Sequence, residues 1–475
     1  MRAASLHPVD RHGRAWPLWP TLFAAALLLG AGLRVFLFLQ QRNLWVDECM
    51  LALGVIRNTV PMITGALPYA QQAGLGYVSL LKLSSVLFGT SELALRLPAL
   101  LMSTGTLALL FIAMRSLRLR PGIILLVLLM AAVNPLDLTY ANDVKQYSTD
   151  AFLALALITV YLSRYRDRIA VMLPLLVVGI FTSHPFIFTA TAVLAAYAWE
   201  HRSLRNARFL LYAGVTAAAF ALNYVIFIGP GVETLLAHRY IRAYHAGGFA
   251  PLQFWEAATW SWYVGKAADI FHQGFGFRWM IFGMLFLLLG VAGLAARKKH
   301  ALAAALTLPL LFAFAASSLQ LYSTLPRLLL FSFPLLMLCM AVGADFLWQA
   351  FNRRFPATVI LLVFAYVSLL HPATTVGRRL VQAGDMGTRE EVGTALQTCL
   401  EQRASGETLY IPWNIYPNIY YYQHRAQVTL DVRMDPWYFP RGPQTVELFA
   451  AQVAQAVGTR GWTIVSRYRV FGREL

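Results

Sequence analysis

The stretch 17–39 reads PLWPTLFAAALLLGAGLRVFLFL and carries a single charged residue, Arg34, near its end. An α-helix rises about 1.5 Å per residue, so a run of this length crosses the roughly 30 Å hydrocarbon core of a bilayer. The run is too long for the apolar part of a signal peptide, and no small-residue cleavage site leads from it into a soluble domain. We therefore expect it to be the first of a series of transmembrane helices.

Apolar runs of this kind recur along the chain. Of its 475 residues, 58% are hydrophobic and 13% are charged, and the mean hydropathy is +0.57. Soluble domains have about 25% charged residues, so this composition excludes an ordinary cytosolic enzyme and a disordered protein. Three cysteines are too few for a disulfide scaffold. The sequence predicts an α-helical polytopic membrane protein with about eleven transmembrane helices. The predicted spans are 17–39, 93–114, 121–140, 150–163, 169–183, 185–199, 209–229, 279–296, 301–319, 328–349 and 356–371.

The distribution of lysine and arginine predicts how these helices are oriented. If the N-terminus is cytoplasmic, 17 Lys and Arg residues fall in the short inner segments and ten fall in the much longer outer loops. Cytoplasmic loops carry the excess of basic residues, so we expect this orientation, in the cell (inner or plasma) membrane. An odd number of spans then puts the C-terminus outside. The same rule accounts for the net charge of +17, so no nucleic-acid partner is expected.

Three segments are expected on the outer side, namely the loops 40–92 and 230–278 and the tail 372–475. Residues 1–371 then form a transmembrane domain, and the tail forms a small extracytoplasmic α/β domain. Alternating and helical patterns in the tail predict three strands and two helices. In chain order these are a strand at 407–413, a helix at 414–423, a strand at 426–432, a helix at 443–457 and a strand at 462–471.

An acidic pair, Asp47-Glu48, follows the first span in NLWVDECM, 43–50. Carboxylates at a membrane face can hold a hydroxyl, take its proton or bind a divalent cation. The plainer interpretation is a solvated cap, with Asp47 as the N-cap of the next helix. The residues alone favour neither interpretation.

The outer connection between the third and fourth spans, NPLDLTYANDVKQYSTD at 134–150, is unusually polar. It brings Asp143, Lys145, Gln146 and Tyr147 next to two apolar runs. A cation at the lipid boundary can bind a lipid phosphate, and a tyrosine can donate a hydrogen bond to the same group. Alternatively, Lys145 extends towards the interface and Tyr147 belongs to the interfacial aromatic belt. Tyr147 alone is better explained by the belt; the cluster as a whole favours a site.

Two further polar residues lie at predicted outer helix ends. Arg327, in TLPRLLLFSFPLL at 324–336, has the planar guanidinium that suits a phosphate, and interfacial anchoring explains it equally well. His184 precedes Pro185, and no second histidine or cysteine nearby completes a zinc pattern, so a structural role is favoured.

Four stretches in this order resemble a known family. They are the acidic pair, QQAGLGYVSLLKLSSVLFGTSELALRLPALL at 71–101, NPLDLTYANDVKQYSTDAFLALALI at 134–158 and PRLLLFSFPLL at 326–336. Together they are similar to the GT-C glycosyltransferases, specifically the bacterial family-39 group. That group contains enzymes like protein O-mannosyltransferases and lipid A aminoarabinose transferases. The resemblance is strongest over the first four spans. Ala73-Gly74 stand where many relatives have two prolines.

This resemblance implies a catalytic site at the outer face of the membrane. The donor would be a sugar on a polyprenyl phosphate, and transfer to a protein, lipid or glycan hydroxyl would invert the anomeric centre. Asp47 would be the general base, supported by Glu48, and Asp143 would be the second acidic residue of the family. Lys145 and Arg327 would bind the donor phosphate, with Gln146 and Tyr147 nearby.

Two other functions and one cofactor stay open at this point. A transporter or flippase of lipid-linked glycans is disfavoured, because ionisable residues lie at helix ends rather than along the midplane and no internal repeat is evident. A non-catalytic membrane scaffold is the third alternative. No dedicated metal site is evident, but Mg²⁺ or Mn²⁺ between Asp47, Glu48 and Asp143 is compatible with the sequence.

Overall fold

The computed structural model shows a bundle of apolar helices with a small sheet-containing unit at one end. It describes residues 18–57, 67–202, 204–232, 245–351, 356–383, 391–404, 407, 409–412, 415–426, 432–435 and 462–464.

The helices of the bundle and its connections fall into two halves of the chain. The first half contains α1 (Leu18–Leu39), α2 (Val46–Arg57), α3 (Leu75–Phe88), α4 (Glu92–Ser116), α5 (Pro121–Ala132), α6 (Pro135–Tyr140), α7 (Tyr147–Leu162), α8 (Ile169–Thr182), α9 (Phe186–His201) and α10 (Ala207–Asn223). The second half contains α11 (Ala257–Asp269), α12 (Met280–Ala296), α13 (His300–Ser318), α14 (Phe333–Phe351), α15 (Pro356–Ala365) and α16 (His371–Ala383).

Each predicted span contains a helix, so the polytopic helical fold is confirmed. Among the described helices, five are long and apolar enough to cross a membrane on their own, and several shorter apolar helices accompany them. The predicted spans are Leu18–Leu39, Glu92–Ser116, Ala207–Val232, His300–Ser318 and Leu330–Ala350 among the long ones. Many large apolar side chains on these helices are exposed, such as Leu28 on α1 and Val225 beyond α10, as expected of a surface in lipid.

Two boundaries differ from the sequence prediction for local reasons. The span predicted at 121–140 is broken into α5 and α6, because the Asn134 side chain caps α6 by accepting a hydrogen bond from the Asp137 N–H at 2.8 Å. Pro135 then occupies the first turn, where its missing N–H costs nothing. The last span does not end at 371, since helical structure continues through a π-helical turn into α16.

The centre of the bundle is closed by an intimate contact between α12 and α14. A side chain at Gly290 would meet the Cys339 backbone, and one at Gly343 would meet the backbone of Phe286 and Gly290. Glycine at these positions lets two helices approach closely, which is how helices associate where lipid provides no hydrophobic driving force. Helix α14 is consequently almost fully buried.

The tail forms a parallel three-stranded sheet with two helices. Its elements are α17 (Val392–Gln402), β1 (Leu409–Pro412), α18 (Tyr416–Ala426), β2 (Val432–Asp435) and β3 (Trp462–Thr463). The strand order is β2-β1-β3. The strand predicted at 426–432 is wrong, because α18 runs to Ala426 and the strand begins at Val432. The helix predicted at 443–457 and most of the strand at 462–471 lie outside the described residues.

The tail packs against the end of the bundle that carries α2. Ile415 and Ile419 share one buried apolar cluster with Leu44, Leu51 and Val55. The α/β unit therefore covers the segment that contains the acidic pair.

Candidate active site

The chain between α1 and α2, residues 41–45, is an extended strap that leads into the acidic pair. It begins at Gln41, whose φ of 47° is left-handed and turns the chain out of α1. The strap has no strand partner, so side chains must satisfy its backbone groups. Arg96, from α4, donates to the carbonyl oxygens of Arg42 at 2.6 Å and Asn43 at 3.2 Å.

Glu48 lies at the centre of a buried network below this strap. Its carboxylate accepts two hydrogen bonds from the Arg96 guanidinium, at 3.0 and 2.9 Å, and one from Arg42 at 3.0 Å. It also accepts from the backbone N–H groups of Val144, at 2.8 Å, and Trp45, at 3.2 Å. One carboxylate thus connects α2, α4, the strap and the loop before α7.

The charges of this network are balanced. Arg42 also pairs with Asp143, so two guanidinium groups face two carboxylates, and the Glu48 side chain has no exposed surface. Burial by itself disfavours an ionised carboxylate, but Arg42 and Arg96 outweigh it and lower the pKa of Glu48. Removing one member of such a buried set leaves an uncompensated charge, which typically costs about 3–5 kcal/mol.

Asp47 points away from this network. Neighbouring residues on a helix differ by about 100° in direction, so the two carboxylates of the pair face different surroundings. The Asp47 side chain is 27% exposed, and its Oδ2 lies 3.9 Å from Lys145 Nζ and 3.6 Å from an Arg327 terminal nitrogen. These separations exceed those of direct hydrogen bonds. One partly exposed carboxylate therefore faces two cations.

Lys145 is placed by the loop that joins α6 to α7. The preceding residue, Val144, is bound through its N–H to Glu48, which fixes the loop against α2. The Lys145 ammonium donates to Gln71 Oε1 at 2.6 Å and is largely buried. Burial lowers the pKa of Lys145, Asp47 opposes this effect, and Arg327 adds to it.

Arg327 arrives from the other half of the chain, in the turn before α14. Its guanidinium lies 6.0 Å from the centre of the Tyr147 ring, within the range of a cation–π contact. Tyr140 packs edge-on against the same ring at 4.8 Å. Burial first, and Arg327 second, lower the pKa of His245, so the loop after the second outer segment also reaches this site.

The segment 71–72 forms the opposite wall. Gln146 donates to the Gln72 carbonyl at 3.0 Å, next to the bond between Lys145 and Gln71. A small cavity follows, lined by Gln71, Gln72 and His184 among others. Burial lowers the pKa of His184 to about 4, so this imidazole is neutral at physiological pH.

The structure separates the residues that the sequence singled out into two groups. Asp47, Lys145 and Arg327 meet around one space, bordered by Gln146 and Tyr147. Glu48 and Asp143 lie instead in the arginine network beside it.

Three residues of this region were missed in the sequence. Arg42 and Arg96 were counted only as outer basic residues, and Gln71 was noted only as part of a similar stretch. An arginine in the apolar first turns of α4 was the available signal for Arg96, because a buried cation needs a partner.

The carboxylates do not suit a divalent cation. No group of three or more His, Cys, Asp or Glu side chains with metal-binding spacing is found among the described residues. Glu48 and Asp143 are already neutralised by Arg42 and Arg96. A cation bound there would have to displace these guanidinium groups.

Comparison with known proteins gives a structural match only. No family model matches the sequence, and no curated protein matches it. Among solved structures, the chain is similar to ArnT from Cupriavidus metallidurans in the apo state, with 14% identity and a TM-score of 0.50 over 93% of this chain and 89% of that one. The chain has a GT-C-like fold, that of ArnT. ArnT of the same organism bound to undecaprenyl phosphate also matches, with 14% identity and a TM-score of 0.46 over 94% and 89% of the two chains.

The GT-C-like fold expected from the four similar stretches is therefore confirmed. At this identity the likeness concerns the fold, so the role of the site has to be argued from its own residues.

The network predicts a strong effect of Glu48→Gln on stability. The amide keeps the size of the side chain but leaves Arg42 and Arg96 without a carboxylate, so we expect a loss of about 3–5 kcal/mol. The stabilisation by ionised Glu48 is present above the ordinary glutamate pKa of about 4.3 and is lost as pH falls through its lowered value. Thermal unfolding of the detergent-solubilised protein at several pH values measures both effects. Asp47→Asn is the matched control and should change stability by less than about 1 kcal/mol; equal melting of Glu48→Gln and wild type would contradict the assignment.

Proposed function

We propose that this protein is a membrane glycosyltransferase. It transfers a sugar from a polyprenyl phosphate to an acceptor hydroxyl at the outer face of the membrane, with inversion at the anomeric carbon. The observation that carries the proposal is the placement of a partly exposed carboxylate, Asp47, against two cations, Lys145 and Arg327. The resemblance of four stretches to GT-C glycosyltransferases and the shared fold support it.

Asp47 serves as the general base in this proposal. The acceptor oxygen attacks the anomeric carbon while its proton passes to the Asp47 carboxylate, and the bond from that carbon to the phosphate oxygen breaks. A base placed within reach of the acceptor hydroxyl contributes about 10²- to 10⁴-fold to such a step. Its neighbour Glu48 is unsuited to this role, because its carboxylate already accepts hydrogen bonds from Arg42 and Arg96.

Lys145 and Arg327 bind the phosphate and stabilise the charge that develops on it as the sugar leaves. Their contacts with Asp47, at 3.9 and 3.6 Å, are long enough for phosphate oxygens to compete for the same donors. Gln146 and Tyr147 border the phosphate position. Because the polyprenyl chain lies in the bilayer, a site at the end of the helices lets the lipid part remain in the hydrocarbon while the phosphate reaches the cations.

Glu48 and Asp143 contribute indirectly. We propose that they hold Asp47 and Lys145 in place through the arginine network, since Glu48 binds Val144, the residue before Lys145. The orientation proposed from the basic loops puts the N-terminus in the cytoplasm and the α/β tail outside, on the side of the acidic pair. The acceptor is a hydroxyl of a protein, a lipid or a glycan.

Replacing Asp47 by asparagine should abolish transfer without unfolding the protein. Without a base at this position we expect turnover to fall at least 100-fold. The measurement is release of polyprenyl phosphate from a panel of synthetic polyprenyl-phosphate hexoses and pentoses, with a membrane extract as the source of acceptor. Turnover of Asp47→Asn equal to that of an active wild type would contradict the assignment of the base. Transport of the intact donor without release would favour a flippase.

Lys145 should make phosphate binding depend on pH. Its pKa is lowered by burial, so we expect affinity for undecaprenyl phosphate to fall as pH rises through a range below the ordinary lysine value of about 10.4. Lys145→Arg should remove this fall because arginine stays charged, and Lys145→Ala should weaken binding about ten- to 100-fold.

The control for this measurement is Lys82→Ala. The Lys82 ammonium donates to the carbonyls of Val55 and Ile56, at 3.0 and 3.2 Å, at the far end of α2. Its loss should leave binding unchanged. Equal affinities of wild type, Lys145→Ala and Arg327→Ala would show that both cations are interfacial anchors.

A further inference from the structure

The α/β tail holds the backbone of the strap that presents Asp47. The N–H of Leu44 donates to the Tyr422 hydroxyl at 2.8 Å, and the Leu44 carbonyl accepts from the Asn418 amide at 3.0 Å. Both tail residues lie on α18, one turn apart, and Leu44 and Asn418 are completely buried. The two bonds therefore fix one peptide unit on either side of a single residue, three positions before Asp47.

The bundle holds the rest of the strap. Arg96 binds the carbonyls of Arg42 and Asn43, and Glu48 accepts from the N–H of Trp45. The Leu44 backbone is thus the part of the strap that depends on the tail. Asn43 adds a contact of its own side chain with Glu391 and Thr394 at the start of α17, at 3.0 and 3.1 Å.

We propose that Tyr422 and Asn418 are positioning residues for Asp47, so that the α/β tail is a component of the active site. This inference rests on the proposed function. The strap sets where α2 begins, and Asp47 lies in the first turn of α2. The carboxylate contacts Lys145 and Arg327 only at 3.9 and 3.6 Å, so these contacts are too long to fix its position alone. Leu44 supplies the missing constraint from the opposite side.

Loss of this constraint should act on the chemical step. Displacement of a reacting group by about 1 Å can cost about 100-fold in rate. Donor binding should be less sensitive, because Lys145 and Arg327 are attached to other segments, the loop before α7 and the turn before α14. A positioning role therefore predicts a lower kcat with little change in the KM for the donor.

Neighbouring tyrosines on α18 offer a matched pair of variants. Tyr422→Phe removes the hydroxyl that binds Leu44. Tyr421→Phe removes a hydroxyl that donates to the Thr90 carbonyl at 2.7 Å, before α4, and so loosens the same interface without touching the strap. Each change deletes one buried hydrogen bond, and the two should lower thermal stability by similar amounts.

The experiment compares steady-state release of polyprenyl phosphate by the full-length wild type and the two variants, with the donor found active in the panel described above. We expect kcat of Tyr422→Phe to fall about three- to tenfold at unchanged donor KM, and kcat of Tyr421→Phe to stay at the wild-type value. Asn418→Leu, which removes the other bond to Leu44, should lower kcat in the same way and serves if Tyr422→Phe does not fold.

Equal kcat values for Tyr422→Phe, Asn418→Leu and Tyr421→Phe would overturn the positioning role while leaving the transferase intact. A change confined to donor KM would overturn it too. If the wild type itself releases no polyprenyl phosphate from any donor, the proposed function fails instead.

Discussion

The arrangement at the end of the bundle depends on the buried Glu48 carboxylate. It accepts hydrogen bonds from guanidinium groups of Arg42 and Arg96 and from the backbone of Val144 and Trp45. Segments that are distant in the chain meet at this one group, because a buried charge is tolerated only when its partners are complete. The strap, the start of α4 and the loop before α7 are held in register by that requirement.

This network determines what the neighbouring residue can do. With Glu48 committed to the arginines, the acidic pair does not act as two equivalent carboxylates. Asp47 remains partly exposed and faces Lys145 and Arg327. A carboxylate and two cations around one space suit a reaction in which a proton is taken from one side and negative charge grows on a phosphate at the other. The tail closes the arrangement by binding Leu44 from outside the bundle.

The sequence predicted the parts of this protein that depend on local pattern. Membrane-spanning helices follow from composition and length, since lipid leaves few alternatives for the backbone. Asp47, Lys145 and Arg327 could be selected because charges are rare in such a chain. The arginine network could not be predicted, because Arg96 and Val144 lie 48 and 96 residues from Glu48 and meet it only after folding. The end of α18 was misplaced for a similar reason, because Arg425 in its last turn is paired with Glu92 of α4.

The most direct test of a lipid-phosphate sugar as the substrate is mass spectrometry of lipids that co-purify with the protein in mild detergent. Wild type and Asp47→Asn are to be compared from the same host. A base variant that binds donor but does not turn it over should accumulate it, so we predict a polyprenyl-phosphate sugar that is enriched in Asp47→Asn. Its mass would also identify the sugar. Bulk phospholipid alone in both samples would contradict a polyprenyl-phosphate donor at this site.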